Sequence, residues 1–583
     1  MNSISGCRGI CPDLVPCPAG VSLVRKAGFT NQSLSDEETA YISARTAEVI
    51  PQAWSSYLTT LLGSNVSALP DYVPAILNGS YGTEAYPNFS IATSGRGYRA
   101  AAFGAGVLNA LDGRNDTSVR AGTGGLLQAA IYLSGLSGGG WLVASLAQAD
   151  FLSLPELVFG PTVTSAEGWG EWLTDIDLAD PSNSTLVDVE YRLEAIAEVL
   201  GKLERGFPVS ITDSWARLLA RHFVNGTTAE SFWDFNLTHG AGLTFSSISS
   251  LDTFVKHLQP FPILVIDSVS SQGNITAILN GNPVPLTNPL FEANVYEFGS
   301  FDPALAAFTP MQYLGSPNSS ICATGFDQIA FIEGISSNTF NTNSSSTSAS
   351  NESYLAELLQ AASDIVLNAD PDLTVALVPN AFYGVSPDTF IDANETLLQL
   401  VDGGEDGEMI PFVPLLVKSR GVNMIFAIDA SNDATSNWAD GSAMIVMQDR
   451  VTYFPEAYSF PPVPTSVSTF LAHNLTTRPT FFGCNSSTES DEPLIIYLAN
   501  GGAPFGKTAI MNTSVQQISY SETEMEALLS QTFDVATQGI MTDGGEKDPD
   551  CDIAGAEEVS QSTKALNPIK GKSAFVTCTN DPT

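Results

Sequence analysis

A chain of 583 residues, 44% hydrophobic and 15% charged, has the apolar content to bury a large core and is not a disordered chain. Its 63 acidic against 23 basic residues give a formal net charge of −40 at pH 7. That argues against nucleic acid, whose binding relies on Lys and Arg neutralising phosphates, and against an anionic membrane surface at neutral pH. No apolar run is long enough to cross a bilayer.

Met1 to Gly20 is rich in Cys and Pro and lacks the apolar core of a signal peptide, so an irregular arm pinned by disulfides is expected. Cys7, Cys11 and Cys17 have no partners at zinc-ligand spacing. With Cys322, Cys484, Cys551 and Cys578 they suit disulfides to distant partners, one thiol being left over. Asn-x-Ser/Thr recurs at Asn31, Asn65, Asn78, Asn88, Asn115, Asn225, Asn236, Asn274, Asn351, Asn394, Asn474 and Asn512, as on a heavily N-glycosylated surface. These features predict a secreted protein whose signal peptide is absent from this chain.

Leu34-Ser35-Asp36-Glu37-Glu38 reads as a capped helix start, with a helix through Val49. Asn88–Thr93 reads as a strand that enters the turn Ser94-Gly95-Arg96-Gly97-Tyr98-Arg99 and then an alanine-rich helix over Ala100–Leu111. A second unit of this kind follows. The apolar run Ala129–Leu133 leads into Gly135-Leu136-Ser137-Gly138-Gly139, and Leu142–Ala147 reads as a helix. Repeated strand–turn–helix units imply an α/β fold with a mainly parallel central sheet and flanking helices.

About 155–250 lacks strand alternation and is expected to be a cap insertion over the sheet. Phe261–Asp267 returns to a buried-strand pattern, and Ile365–Val378 and Val422–Asp429 supply further strand-like runs. Ser336–Ser353 is Ser/Thr/Asn-rich and is expected to be a mobile, glycosylated surface loop. From about 546 to 583 the tail is polar and acidic. No internal repeat is evident, so residues 1–583 are read as a single catalytic domain.

Gly-x-Ser-x-Gly between a strand and a helix is the setting of a nucleophile elbow, with Ser137 at its tip. A serine nucleophile needs a base. None of His222, His239, His257 and His473 stands in a Gly-rich loop after a strand. Asp402 does: it ends the run Leu397–Val401 and opens a Gly403-Gly404 turn. Asp543-Gly544-Gly545 repeats the triplet without a buried strand beside it. Such a carboxylate base is expected to titrate well below histidine and to keep the enzyme active at mildly acidic pH. The backbone N–H groups of Arg96 and Gly97 beside a helix N-terminus could hold an oxyanion, each such donor being worth roughly 3 kcal/mol. Arg99, a scarce cation, could grip a phosphate through its planar fork. The ordinary alternatives are a Gly-rich turn without chemistry, a turn aspartate and a structural ion pair.

The order of Ser94-Gly-Arg-Gly-Tyr-Arg99, Gly135-Leu-Ser-Gly-Gly139 and Asp402-Gly-Gly-Glu-Asp-Gly407 resembles the fungal phospholipase B (lysophospholipase) family. So do the N-terminal Cys and Cys-Pro pattern, Glu297–Pro303, Phe308-Thr309-Pro310 and Ile425–Ser431. That family is related to the catalytic domain of cytosolic group IV phospholipases, and the likeness runs to about Gly506. It implies a patatin- and cytosolic-phospholipase-like fold and a Ser–Asp dyad, with Ser137 as nucleophile and Asp402 as base. It further implies Arg99 near the substrate phosphate or the nucleophile. Oxyanion donors are then expected near Arg96, Gly97 and Gly138, although the related intracellular enzymes carry a run of glycines where this chain has Gly95-Arg96-Gly97. The implied activity is release of fatty acids from lysophospholipids at a micelle or membrane surface, with diacyl phospholipids as a further substrate class. No metal or cofactor is implied, and no calcium-loop pattern is present. The rival functions are an esterase acting on other esters and a non-catalytic surface glycoprotein that retains the fold.

Overall fold

The computed structural model describes residues 11–538 apart from 64–71, 83–84, 162–168, 318–319, 342–372, 432, 435, 485–491 and 505–506. The strands, in chain order, are β1 (Asp13–Pro16), β2 (Arg25–Lys26), β3 (Phe89–Thr93), β4 (Tyr132–Gly135), β5 (Phe261–Val269), β6 (Phe291–Asn294) and β7 (Glu297–Ser300). They continue with β8 (Ala307–Pro310), β9 (Ile321–Thr324), β10 (Ala376–Pro379), β11 (Leu397–Asp402), β12 (Met424–Asp429), β13 (Thr480–Phe482) and β14 (Leu494–Ala499).

Twelve of these strands form one sheet in the order β13-β14-β12-β3-β4-β5-β6-β7-β8-β2, with β11 joined to β5 and β10 to β11; β1 pairs with β9 apart from it. The centre, β14-β12-β3-β4-β5, is parallel, as the repeated strand–turn–helix units imply. Its β3 and β4 are buried along their whole length because helices cover the sheet. The margins are antiparallel and built from short strands, of which β6, β7 and β8 follow one another directly through the short links 295–296 and 301–306.

The nine-residue strand β5 organises the site. Residues 261–264 pair with β4 in parallel, while residues 266–269 pair with β11 antiparallel. Because β6 pairs with residues 263–266, overlapping both sets, β4 and β11 must share the other edge of β5. They meet there end to end, Gly135 opposite Leu264 and Asp402 opposite Ile266. Two residues along a strand are about 7 Å, so this register brings the end of β11 beside the turn that follows β4.

The expected first helix spans Asp36–Glu48, with the Ser35 side chain accepting from the Glu38 N–H. The alanine-rich helix runs over Gly97–Leu111, three residues earlier than expected, because the turn itself forms its first turn. Among the described residues, 155–250 contributes helices and no strand, chiefly Thr185–Glu204 and Ile211–Phe223. Phe223 packs between Trp141 and Trp172, which joins this segment to the helix after β4. A disulfide links Cys17 to Cys322, and Cys11 and Cys484 are also disulfide-bonded. The acidic tail and Asp543 lie outside the described residues, as do Asn65, Asn351 and the first part of the expected Ile365–Val378 strand.

Candidate active site

Strand β4 ends at Gly135, Leu136 is extended, and the helix Ser137–Gln148 begins at once. The chain can turn this sharply only because Ser137 takes a φ of +51°, in the left-handed region that L-residues with a Cβ avoid. The two glycines after it are required by close approach. A Cβ on Gly138 would lie 1.9 Å from the carbonyl oxygen of Gly97, and one on Gly139 would lie 2.5 Å from those of Thr93 and Ser94. The serine turn therefore interlocks with the loop after β3. The Ser137 N–H donates to Ser336 Oγ at 3.2 Å, and the Ser336 hydroxyl donates to the Val265 carbonyl at 2.7 Å.

Ser336 and Asn338 correct the expectation of a mobile surface loop over 336–353. Both are fully buried, and the Asn338 carbonyl accepts the Asp402 N–H at 2.8 Å. Their polar groups satisfy the backbone beside Ser137 and Asp402, which composition does not reveal. Residues 342–353 of that stretch lie outside the described residues.

Asp402 is buried, accepts the Gly404 N–H on Oδ1 at 2.8 Å, and its carboxyl interacts with the Ser137 side chain. Burial pushes its carboxyl up from 3.8 to about 6, opposed by the Ser137 side chain, the Gly404 N–H and the charge of Arg96. Burial thus brings this carboxylate base close to the ordinary histidine value of 6.5. Next to it, burial raises Glu405 to about 8, although it accepts from Asn341 Nδ2 at 2.7 Å. Beneath the turn the buried Arg450 ion-pairs with Asp302 at 2.7 Å and with Asp406 and Glu408 at 3.2 Å each. Asp406 also donates its N–H to Asp267 on β5 at 2.9 Å. The Asp402–Glu408 turn is thereby clamped to the sheet.

The loop after β3 is fixed at its base. Ser94 and Gly95 donate their N–H groups to the Ile428 and Met409 carbonyls, each at 3.0 Å. Beyond them, among the described residues, the N–H groups of Arg96, Gly97 and Gly138 meet no backbone acceptor, and neither helix N-terminus carries a side-chain cap. Free donors at two helix starts, one on each side of the Ser137 turn, suit a developing negative charge.

Arg99 is only 2% exposed; Nη2 donates to the Asn437 carbonyl at 2.8 Å, while Nε and Nη1 are buried without hydrogen-bond partners. Burial lowers its guanidinium to about 10, against the pull of Tyr520, Asp429 and Asp433. The histidines lie elsewhere. His222 bonds the Leu173 carbonyl, His239 contacts Thr227 and the Asp234 carbonyl, and burial drives both down to about 4. His257 packs edge-on to Tyr41. Among the described residues, no histidine is a hydrogen-bond partner of Ser137.

A family model described as the lysophospholipase catalytic domain matches residues 89–550. Lysophospholipase 3 of Aspergillus fumigatus is 35% identical over 554 residues, which cover 92% of this chain and 81% of that protein. Lysophospholipase 2 of Saccharomyces cerevisiae is 34% identical over 566 residues, covering 92% and 73%. Human GIVD cytosolic phospholipase A2 superposes with a TM-score of 0.60 over 91% of this chain and 70% of that one, at 18% identity, a likeness of fold. The chain belongs to the lysophospholipase catalytic-domain family.

Proposed function

We propose that this protein is a serine acyl hydrolase that releases fatty acids from lysophospholipids, and from diacyl phospholipids as well, through a Ser137–Asp402 dyad. The observation that carries the proposal is the register on β5 that brings a left-handed Ser137, at the tip of a strand–helix turn, beside the buried Asp402, whose carboxyl interacts with it. Asp402 takes the hydroxyl proton as Ser137 attacks the ester carbonyl. The N–H groups of Arg96, Gly97 and Gly138 receive the oxyanion, and the buried Arg99 adds a fixed positive charge behind them that favours a substrate phosphate. The proton then passes to the departing glycerol oxygen. Water, deprotonated by the same carboxylate, hydrolyses the acyl-enzyme.

Ser137→Ala and Asp402→Asn should fold as the wild type and lose at least about 10³-fold in fatty acid release from lysophosphatidylcholine. Replacing each histidine in turn by Gln should leave activity within about tenfold. A folded, active Asp402→Asn protein, or a fluorophosphonate label on another serine, would overturn the dyad. We further propose that the protein is secreted and N-glycosylated. The disulfide-bonded cysteines support this, and so do the exposed Asn31, Asn78, Asn236, Asn274, Asn394 and Asn474. Mass spectrometry of native protein should find several of these asparagines occupied; a glycan-free protein with reduced thiols contradicts the reading.

A further inference from the structure

We propose that the side chain of Arg96 is the specificity-determining cation of the site, binding the phosphodiester of a lysophospholipid while Ser137 attacks its ester. This rests on the acyl-hydrolase reading and goes beyond the backbone role given to Arg96 there.

Four observations point to it. Arg96 lies between Gly95 and Gly97. A Cβ on Gly95 would meet Ser137 Cβ at 2.8 Å, and Gly97 is the residue whose carbonyl approaches Gly138. The side chain therefore springs from the loop packed against the nucleophile's turn. Its backbone is left-handed, φ +100° and ψ +54°, a conformation that glycine adopts freely and arginine does not. Strain held at a residue touching a site marks a use for its side chain.

The third observation is that, among the described residues, the guanidinium has no ion-pair partner. In a chain with 63 acidic and 23 basic residues, the half-buried Arg96 makes no side-chain hydrogen bond and no ion pair among the described residues, and its Nε is buried without an acceptor. Arg25, Arg114, Arg420 and Arg450, by contrast, all hold carboxylates. The fourth is its surroundings. Arg96 acts through space on Asp402, Glu405, Asp433 and Arg99. Burial lifts Glu405 to about 8 and Asp433 to about 7, so at mildly acidic pH both keep their protons, and of these three neighbouring carboxyls Asp402 alone opposes the Arg96 charge. Arg99 is enclosed at 2% exposure, so Arg96 is the more accessible of the two neighbouring cations. A guanidinium with its donor fork unused suits the two non-bridging oxygens of a phosphodiester.

The test compares 1-oleoyl lysophosphatidylcholine with 1-monooleoylglycerol, which share the acyl chain and the scissile ester, in identical neutral detergent micelles. Wild type, Arg96→Gln, Arg96→Gly and Arg96→Lys are measured, with fluorophosphonate labelling of Ser137 and thermal melting alongside. The phospholipid-to-glyceride ratio of kcat/KM should fall at least tenfold in Arg96→Gln and Arg96→Gly, and less in Arg96→Lys. Arg96→Gly should also melt no lower than wild type, since glycine suits the backbone. A ratio that falls less than tenfold in a folded, labelled Arg96→Gln protein overturns the inference, even if both activities drop together because Asp402 has lost a stabilising charge. A wild type that hydrolyses neither ester, or is not labelled at Ser137, overturns the acyl-hydrolase reading and this inference with it.

Discussion

Acid should switch this enzyme off with a midpoint near pH 6. Asp402 must be ionised to take the Ser137 proton, and burial holds its carboxyl at about 6. The fraction ionised is then about half at pH 6, roughly a tenth at pH 5 and roughly a hundredth at pH 4. Values of kcat/KM for lysophosphatidylcholine should follow that curve, and so should the rate of fluorophosphonate labelling, which reports Ser137 without an interfacial substrate. Circular dichroism at each pH separates loss of base from loss of fold. Because the ordinary histidine value of 6.5 lies so close, the midpoint alone does not identify the base. Temperature does: carboxyl ionisation barely responds to it, whereas imidazole ionisation shifts to lower pH on warming. A limb that moves clearly with temperature would refute a carboxylate base, and one centred below about pH 5 in folded protein would refute the elevation of Asp402 by burial.

Stability should fall from mildly acidic to mildly alkaline pH. Glu405 is raised from 4.5 to about 8 and Asp402 from 3.8 to about 6, so the folded state holds protons that the unfolded chain has released. At about 1.4 kcal/mol per unit, these groups cost the fold on the order of several kcal/mol as pH rises through the window from about 4 to 8. The melting temperature should be a few degrees higher at pH 5 than at pH 8; an equal or lower value at pH 5 contradicts this. Ser336→Ala removes the acceptor of the Ser137 N–H and the donor to Val265, leaving buried groups unpaired at a cost of about 1–3 kcal/mol. It should lower kcat roughly tenfold with KM little changed, and wild-type kcat in the variant would show that Ser336 does not position the elbow.

The parts of the site legible in the sequence are those written locally. Gly135-Leu136-Ser137-Gly138-Gly139 follows a strand because the glycines at 138 and 139 are demanded by backbone contacts within a few ångströms. Asp402 was visible because an apolar strand ends there and two glycines follow. The fold's parallel centre was legible for the same reason, since each strand–turn–helix unit is a local pattern. What could not be read depends on long-range pairing. Ser336 and Asn338 sit in a polar stretch that looks like a surface loop, and only the register of β11 on β5 brings them under Asp402. The value of Asp402 comes from burial by distant segments, and the Arg450 clamp joins Asp302, Asp406 and Glu408 across the sheet. The place of Arg96 in a Gly-rich turn points to its backbone, while the lack of a partner for its side chain among the described residues depends on distant segments.

The strand order has a consequence for biosynthesis. Strand β3, which leads into the oxyanion loop, is flanked by β4 on one side and by β12 on the other, and β12 in turn needs β14. A chain emerging from its N-terminus completes β3, β4 and the serine turn early, yet must wait for residues 424–429 to cover the far edge of β3 and for residues 494–499 to cover β12. From completion of the serine turn until residue 402 is made, an apolar strand edge therefore stands open beside a nucleophile that lacks its base. Activity is acquired late and as a whole, once β12 and the Asp402 turn have joined the strands beside the serine turn.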